Sequence, residues 1–155
     1  MKAHQAIVAA PGFSLGLRCD EAFILEIEFL PPGMTLAATS LLSREAVRQL
    51  CAWLKNPDFV FDLPLAPAGT PFQRRVWAQI SAIPRGQTRC YGDLAAALGS
   101  APRAVGGACG ANPYPLVVPC HRVLSRGGGL GGFNRERGGL LLEIKRWLLV
   151  HEGVL

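Results

Sequence analysis

The sequence of 155 residues lacks the cysteine and histidine spacings of a metal site. Its five cysteines form no CxxC pair, and it has only three histidines. Structural zinc sites take four such ligands at short spacings, so we expect no metal and no cofactor. His4 and Cys19 would supply two ligands without a good third, and an exposed tail beside a half-buried strand explains them better. The odd number of cysteines predicts free thiols.

Long apolar runs and a high density of charge are also missing. No run reaches the length of a membrane span, because Arg, Glu, Pro or Gly interrupts each candidate. Charged residues make up only 17% and apolar ones 50% of the chain, which excludes a disordered protein. The first residues carry no convincing cleavage signature. We therefore expect a cytoplasmic globular protein with no membrane partner. We also expect it to be a monomer.

The net charge of +5 is unevenly distributed along the chain. Residues 1–69 carry five basic and seven acidic side chains, a net charge of −2. Residues 70–155 carry eleven basic and four acidic ones, a net charge of +7. A basic half next to a mildly acidic half indicates a polyanionic partner for one face, although many basic proteins share this feature.

The first part of the chain has the pattern of an antiparallel meander followed by a helix. Apolar runs over residues 5–30 alternate with turn residues, and Glu26 and Glu28 alternate with apolar neighbours as in a half-exposed strand. Ser43 is a predicted N-cap for a helix to about Leu54. Residues 59–69 are predicted to form an extended linker.

The second part has a mainly helical pattern. Thr70 and Pro71 predict an N-cap and a first helical residue, with apolar side chains at helical spacing up to Pro84. A short helix is predicted at 91–98, ended by Gly99, and another at 102–110. Two short helices joined by a tight turn that contains glycine are typical of a helix-turn-helix.

The second of these short helices is unusual for a recognition helix. It has almost no bulky side chain and one arginine, Arg103, at its start. A helix this smooth can lie close to a nucleic-acid backbone or in a narrow groove, with little sequence specificity. The alternative is a helix that packs tightly on a neighbour through its small residues. The residues alone leave the two interpretations about even.

The segment 116–123 is the most informative in the chain. Leu116–Val118 is predicted to form a buried strand that ends at Pro119. Cys120 then lies beside His121 and Arg122, in an electropositive position that would favour its thiolate form. Side chains that are neighbours on an extended segment point to opposite sides, so Cys120 and His121 need not touch. The pattern indicates a nucleophile.

These motifs closely resemble those of the O6-alkylguanine-DNA alkyltransferases, also called methylated-DNA–protein-cysteine methyltransferases. The matching segments are 69–77, 83–84, 91–92, 103–108, 112–113, 119–123, 145–149 and 151–153. The resemblance implies an α/β (α+β) fold, with a ribonuclease-H-like lobe of antiparallel strands plus helix over residues 1–66. It implies a mainly helical, winged-helix-like lobe with the helix-turn-helix over residues 67–155.

The resemblance also implies direct-reversal DNA repair. The protein would bind double-stranded DNA, flip an O6-alkylguanine out of the stack, and transfer the alkyl group irreversibly to its own cysteine. O4-alkylthymine would be a further substrate. A thioether has no easy leaving group, so each protein would act once.

The roles of individual residues follow from the same resemblance. Cys120 would be the acceptor, His121 the base acting through a bridging water, and Glu152 the group that orients His121. Tyr91 would donate a proton toward the departing guanine and crowd the phosphate of the target. Asn112 would brace the turn that leads to the cysteine.

Further residues are assigned by resemblance to DNA and to the substrate pocket. Arg103 would fill the gap left by the flipped base, and the helix that carries Ala104 and Gly107 would lie on the DNA. Val123 would offer its carbonyl to the guanine edge, and Phe133 would line the pocket. We expect Arg122 to be structural.

The chain departs from the family pattern at 134–142, where extra residues lengthen the segment between the cysteine and Trp147. This segment forms a wall of the guanine pocket in the family, so we expect altered selectivity for the alkyl group. The alternative is that the extra residues only lengthen the following helix.

Three other functions remain as alternatives to alkyl transfer. An alkyltransferase-like protein that flags lesions without chemistry would replace the cysteine, and Cys120 argues against it. A helix-turn-helix regulator explains neither the small-residue helix nor the cysteine–histidine motif. A cysteine hydrolase would need an oxyanion-hole signature, and none stands out.

Overall fold

The computed structural model describes residues 3–127, 129–130 and 139–155. The chain divides into two units, Met1–Pro67 and Ala68–Leu155. The elements of the first unit are three strands and a helix: β1 (Ala6–Ala10), β2 (Phe13–Cys19), β3 (Ile24–Leu30) and α1 (Leu41–Lys55). The elements of the second are α2 (Pro71–Ser81), β4 (Arg89–Cys90), α3 (Tyr91–Leu98), α4 (Pro102–Gly110), a 3₁₀ turn (Cys120–Arg122), β5 (Val123–Leu124) and α5 (Gly139–His151).

The first unit is a three-stranded antiparallel sheet in the order β1-β2-β3, with α1 packed against it. The predicted meander is therefore confirmed. Period-two alternation places Leu15, Leu17 and Ile27 in the core, since each is 2% exposed or less. The α1 side chains Leu50 and Trp53 are buried as well. The α/β class expected from the sequence is confirmed.

The start of α1 differs from the prediction. Ser40, not Ser43, is the N-cap, and Ser43 is the third residue of a capping box in which each side chain bonds the backbone N–H of the other. The prediction of Ser43 as the N-cap was wrong because it placed the helix start just before the first buried apolar residues, whereas the helix begins one turn earlier at Leu41. Leu41 is exposed and contributes to the helix without contributing to the core.

The second unit begins as predicted. Thr70 caps α2, and Pro71 is its first residue. Helix α3 ends at Gly99, whose left-handed backbone (φ 63°) is one that glycine adopts without strain. Helices α3 and α4 form the predicted helix-turn-helix and contact α2 as well. The indole of Trp77 donates to the carbonyl of Ala108 (2.9 Å), which fixes the end of α4 on α2.

The predicted strand at Leu116–Val118 is wrong, because this segment is a turn. The N–H of Val118 donates to the carbonyl of Tyr114 (2.8 Å), and Leu116 has a positive φ of 75°. The side-chain amide of Asn112 donates to the carbonyl of Val118 (2.9 Å). A side chain and a local turn thus satisfy the backbone groups that a neighbouring strand would otherwise pair.

No described helix combines the length and the apolar character needed to cross a membrane. Within the same residues, no group of three His, Cys, Asp or Glu side chains is placed to hold a metal ion. His4 instead contacts the carboxylate of Glu28 (2.9 Å).

Candidate active site

Cys120 opens the 3₁₀ turn and is buried, with 3% of its surface exposed. It therefore lies on a turn, and the expectation of an extended segment around Cys120 and His121 was wrong. The amide of Asn112 donates to Cys120 Sγ (3.2 Å), and the Asn112 carbonyl oxygen accepts from the N–H of Tyr114 (2.8 Å). One buried asparagine thus holds both the turn and the sulfur.

The surroundings of Cys120 raise the pKa of its thiol. The hydrogen bond with the Cys109 thiol is the largest cause and burial is the second, while the amide of Asn112 and the ammonium of Lys145 act in the opposite direction. The expectation of a position that by itself favours the thiolate was therefore wrong. The turn buries the sulfur, so the resting thiol keeps its proton, and a base is needed to form the nucleophile.

An imidazole that can act as a base lies on the next residue, in contact with a buried carboxylate. His121 Nε2 lies 2.9 Å from Glu152 Oε1, and both side chains are at most 1% exposed. Arg122 donates to both oxygens of the same carboxylate and, through Nη1, to the carbonyl of Ile83 (2.7 Å). Glu152 therefore joins the 3₁₀ turn to the end of α5, and Arg122 has the structural contacts expected of it.

This arrangement determines which nitrogen of His121 can act as a base. Contacts with His121 and Arg122 overcome the effect of burial and lower the pKa of Glu152 to about 2, so the carboxylate is ionised and can only accept hydrogen bonds. His121 Nε2 must then carry the ring proton, which makes Nδ1 the basic nitrogen. Burial lowers the pKa of His121, so the ring is neutral at pH 7 and can take up a proton.

Lys145 lies in the site, although no role for it was predicted from the sequence. Its side chain is fully buried, and Nζ donates to the carbonyls of Val123 (2.8 Å) and Leu130 (2.7 Å). Burial lowers the pKa of Lys145 to about 8. A signal was available in the sequence, since Lys145, Leu148, Leu149 and Glu152 share one face at helical spacing.

Val123 lies within this site, and its carbonyl is one of the two that accept from Lys145. By the family resemblance, that carbonyl is predicted to accept from the guanine edge. A carbonyl oxygen has two lone pairs, so the contact with Lys145 leaves room for a second donor.

Tyr91 is the first residue of α3 and lies close to the same group of side chains. The Nζ of Lys145 is 5.8 Å from the centre of the Tyr91 ring. Burial is the main cause that raises the pKa of Tyr91, and the nearby Cys109 and Cys120 add to it. The phenol therefore keeps its proton at neutral pH and can serve as a donor. Tyr91, Asn112, Cys120, His121 and Glu152 are thus brought together, as the resemblance implied.

The residues assigned to DNA form a separate, exposed face on α4. Arg103, Ala104 and Gly107 are all exposed on this helix. A Cβ added at Gly106 or Gly107 would meet no described atom within 4 Å, apart from its chain neighbours and the backbone of its own helix. The alternative of a helix that packs on a neighbour through its small residues holds for another face of α4, where Ala108 and Cys109 are buried. Gly106 and Gly107 do not take part in that packing, so their side of the helix stays open to a partner.

The remaining pocket residues lie only partly within the described structure. Phe133 and residues 134–138 lie outside the described residues. Leu140–Leu142 belong to the first turns of α5, which begins at Gly139. This part of the atypical segment is therefore helical.

Comparison with known proteins identifies the group to which this site belongs. Residues 71–154 match the model of a family described as 6-O-methylguanine DNA methyltransferase, DNA binding domain. The match covers more than half of the chain. The chain belongs to the 6-O-methylguanine DNA methyltransferase family. The resemblance found in the sequence is confirmed, and the match to this family includes the whole group from Tyr91 to Glu152.

Individual relatives in the family agree with this assignment. A methylated-DNA–protein-cysteine methyltransferase of Salmonella typhimurium is 56% identical over 102 residues, which are 64% of this chain and 57% of that protein. One of Methanosarcina acetivorans is 46% identical over 112 residues, 71% of this chain and 69% of that protein. The chain spans a third of one of the curated relatives, the regulatory protein ada of Salmonella typhimurium, and little more than half of several others.

Solved structures extend the similarity to both units. The O6-methylguanine methyltransferase of Mycobacterium tuberculosis has a TM-score of 0.78 and 34% identity, covering 94% of this chain and 90% of that one. A structure from the same organism in complex with DNA has the same TM-score and coverage, with 33% identity. The family likeness therefore includes the first unit, which the family model does not cover.

Proposed function

We propose that this protein repairs alkylated DNA by direct reversal, with Cys120 as the permanent acceptor of the alkyl group of O6-alkylguanine. The observation that carries the proposal is the buried cysteine that accepts a hydrogen bond from Asn112 and adjoins the His121–Glu152 pair. A methylated-DNA–protein-cysteine methyltransferase that is 56% identical to this chain over 102 residues supports it. The protein would act as a monomer on double-stranded DNA, with O4-alkylthymine as a further substrate.

The reaction needs a nucleophile that is formed only when the substrate is present. His121 Nδ1 would take the thiol proton of Cys120 through a bridging water, and Glu152 would stabilise the resulting imidazolium. The bond between Sγ and the alkyl carbon forms as the bond from that carbon to guanine O6 breaks. Tyr91 would supply a proton to the departing guanine. The thioether has no leaving group that water can displace easily, so one protein is consumed for each lesion.

In the proposed reaction, the exposed face of α4 would lie on the DNA, next to the base that is flipped. Small residues allow the helix backbone to lie close to DNA, and Arg103 at its start would enter the stack in place of the flipped nucleotide. An arginine there replaces lost stacking and adds positive charge next to the phosphates. Such contacts would give affinity with little sequence preference.

Intact-protein mass spectrometry tests the proposal directly. Incubation with a duplex that carries one O6-methylguanine should add the mass of one CH₂ group per protein, and peptide mapping should locate it on Cys120. The same duplex with unmodified guanine is the control. A chain that binds the lesion and stays unmodified would overturn the proposal in favour of lesion recognition without chemistry.

A bulky residue on α4 should separate DNA binding from folding. Gly107→Leu should weaken binding to the duplex about tenfold or more, because the side chain would prevent close approach. The fold should be retained, and the free energy of unfolding should be unchanged or rise by up to about 1 kcal/mol, since leucine favours a helix over glycine and its Cβ would meet no neighbouring atom within 4 Å. Fluorescence anisotropy and thermal unfolding measure the two effects.

The matched control is Ala78→Leu, which adds a similar bulk to an exposed position on α2 of the same unit. Its binding should equal that of the wild type. Equal affinities for Gly107→Leu and Ala78→Leu would show that α4 does not face the DNA.

A further inference from the structure

Trp77 is a buried aromatic residue of α2 that has no part in the proposed chemistry. Only 8% of its surface is exposed. Its indole N–H donates to the carbonyl of Ala108 (2.9 Å), in the last turn of α4. The same carbonyl accepts from the backbone N–H of Ala111 (3.2 Å), the residue that caps the helix. The hydrogen bond from Trp77 therefore holds the point at which α4 ends.

The indole ring of Trp77 is itself restrained at its other end. Gly69 lies against the six-membered part of the ring, since a Cβ added there would be 2.6 Å from Cη2 and Cζ3. Gly69 also has a positive φ of 87°, which glycine adopts without strain. Close packing at one end and a hydrogen bond at the other keep the N–H directed at α4.

A short chain of contacts leads from the end of α4 to the proposed alkyl acceptor. The backbone N–H of Asn112 donates to the carbonyl of Cys109 (3.2 Å), the residue after Ala108. The side-chain amide of Asn112 donates to the carbonyl of Val118 (2.9 Å) and to Cys120 Sγ (3.2 Å). All of these residues are buried. A displacement of the end of α4 would therefore also move Asn112 and the sulfur that it contacts.

We propose that Trp77 is a positioning residue for alkyl transfer, which acts by holding the end of α4 relative to Cys120 Sγ. The exposed face of the same helix carries Arg103 and Gly107, which are assigned to the DNA. The helix would thus bind the DNA on one face and place the acceptor beyond its last turn. Transfer needs the sulfur about 3–3.5 Å from the alkyl carbon and in line with the bond that breaks, so small displacements are costly. The inference rests on the proposed function.

This role predicts an effect on the rate of transfer and not on DNA affinity. Trp77 contacts the buried side of α4, so the face that would bind DNA keeps its contacts when the N–H is lost. The base is held separately, by the contact of His121 with Glu152 (2.9 Å). The pH dependence of transfer should therefore be unchanged as well.

The test removes the N–H donor and keeps the shape of the ring. Site-specific incorporation of 3-benzothienylalanine in place of Trp77 exchanges the N–H for a sulfur atom. Single-turnover transfer from a duplex with one O6-methylguanine is followed at increasing protein concentration. The maximal rate should fall about tenfold, the factor that one hydrogen bond of ordinary net strength provides. The half-saturating concentration and the pH profile should stay the same.

The matched control places the same amino acid at Trp147 on α5, where the indole stacks on His151. This variant should transfer at the wild-type rate. An unchanged maximal rate for the position-77 variant, an equal loss at position 147, or a loss confined to the half-saturating concentration would each overturn the proposal.

A double-mutant cycle with Asn112→Ser shows whether Trp77 acts through Asn112. In that background the replacement at position 77 should lower the rate by less than about twofold more, because the contact that transmits its effect is already lost. A tenfold loss in both backgrounds would mean that Trp77 is only structural.

Amide hydrogen exchange gives a readout that needs neither DNA nor the Asn112 variant. The backbone N–H of Asn112 should exchange several-fold faster when the donor at position 77 is removed, and unchanged exchange would overturn the proposal. If the wild type takes up no methyl group but its Asn112 exchange depends on Trp77, the proposed function fails while the link from Trp77 to the end of α4 stands.

Discussion

Replacing Cys120 with serine should abolish methyl uptake and leave lesion binding intact. A serine hydroxyl is nearly the size of the thiol and can accept the same hydrogen bond from Asn112. It is a far weaker nucleophile at an alkyl carbon, because the neutral His121 cannot generate an appreciable amount of alkoxide. We expect the rate of transfer to fall more than about 10³-fold, as is usual when a nucleophile is removed. Intact mass and gel-shift measurements on one O6-methylguanine duplex follow the two properties.

The control for this variant is Cys51→Ser, which changes a thiol on α1 in the other unit. It should take up methyl at the wild-type rate. Methyl uptake by Cys120→Ser at a comparable rate, on any residue, would disprove the role of Cys120. Loss of both binding and uptake would call for Cys120→Ala, which must bind the lesion if the fold is intact.

Features set by local chemistry could be predicted from the sequence, and the second unit illustrates why. Thr70 followed by Pro71 determines a helix start within two residues, and Gly99 ends α3 because its left-handed conformation disfavours other residues. These signals need no distant partner. The predicted starts of α2 and α4 and the end of α3 are accordingly confirmed.

The turn at residues 114–119 could not be predicted in the same way. A short apolar run fits a buried strand and a buried turn equally well, and the difference lies in what satisfies its backbone. Here the partners are the carbonyl of Tyr114 and the amide of Asn112. Those partners act through a specific geometry that hydrophobic periodicity does not encode.

The residues of the candidate site show the same difference between local sequence signals and distant contacts. Cys120 and His121 are adjacent in sequence, so their chemistry was visible from the residues alone. Glu152 lies 31 residues beyond His121, and only the family resemblance placed it in the site. Lys145 was missed as a site residue because a lysine is rarely fully buried, although its position on the apolar face of α5 indicated it.

Replacing Glu152 with glutamine should impair both stability and reaction. The carboxylate is fully buried and accepts hydrogen bonds from His121 and from Arg122. Glutamine keeps the shape but leaves the guanidinium of Arg122 without its charge partner, which typically costs about 3–5 kcal/mol when a buried pair is broken. Transfer should slow by roughly 10²–10⁴-fold, because His121 loses the group that fixes its tautomer and stabilises its charged form. Urea unfolding and the rate of methyl uptake measure the two effects.

The matched control is Glu143→Gln, which removes an exposed carboxylate from the same helix. Its effect on the free energy of unfolding should lie within about 0.5 kcal/mol, as for most surface substitutions. If Glu152→Gln behaved like Glu143→Gln in both measurements, Glu152 would be neither a positioning residue for His121 nor a structural partner of Arg122.

The pH dependence of stability gives an independent readout of the same carboxylate. The pKa of Glu152 is lowered from 4.5 to about 2, so the folded protein binds its proton less readily than the unfolded chain. The resulting stabilisation is fully present above pH 4.5 and is lost as the pH falls toward 2; it amounts to roughly 3 kcal/mol. The wild type should therefore lose more stability than Glu152→Gln between pH 5 and 2, and the difference between them should shrink as the pH falls. A constant difference across this range would show that the charge of Glu152, as opposed to its shape, contributes nothing to the fold.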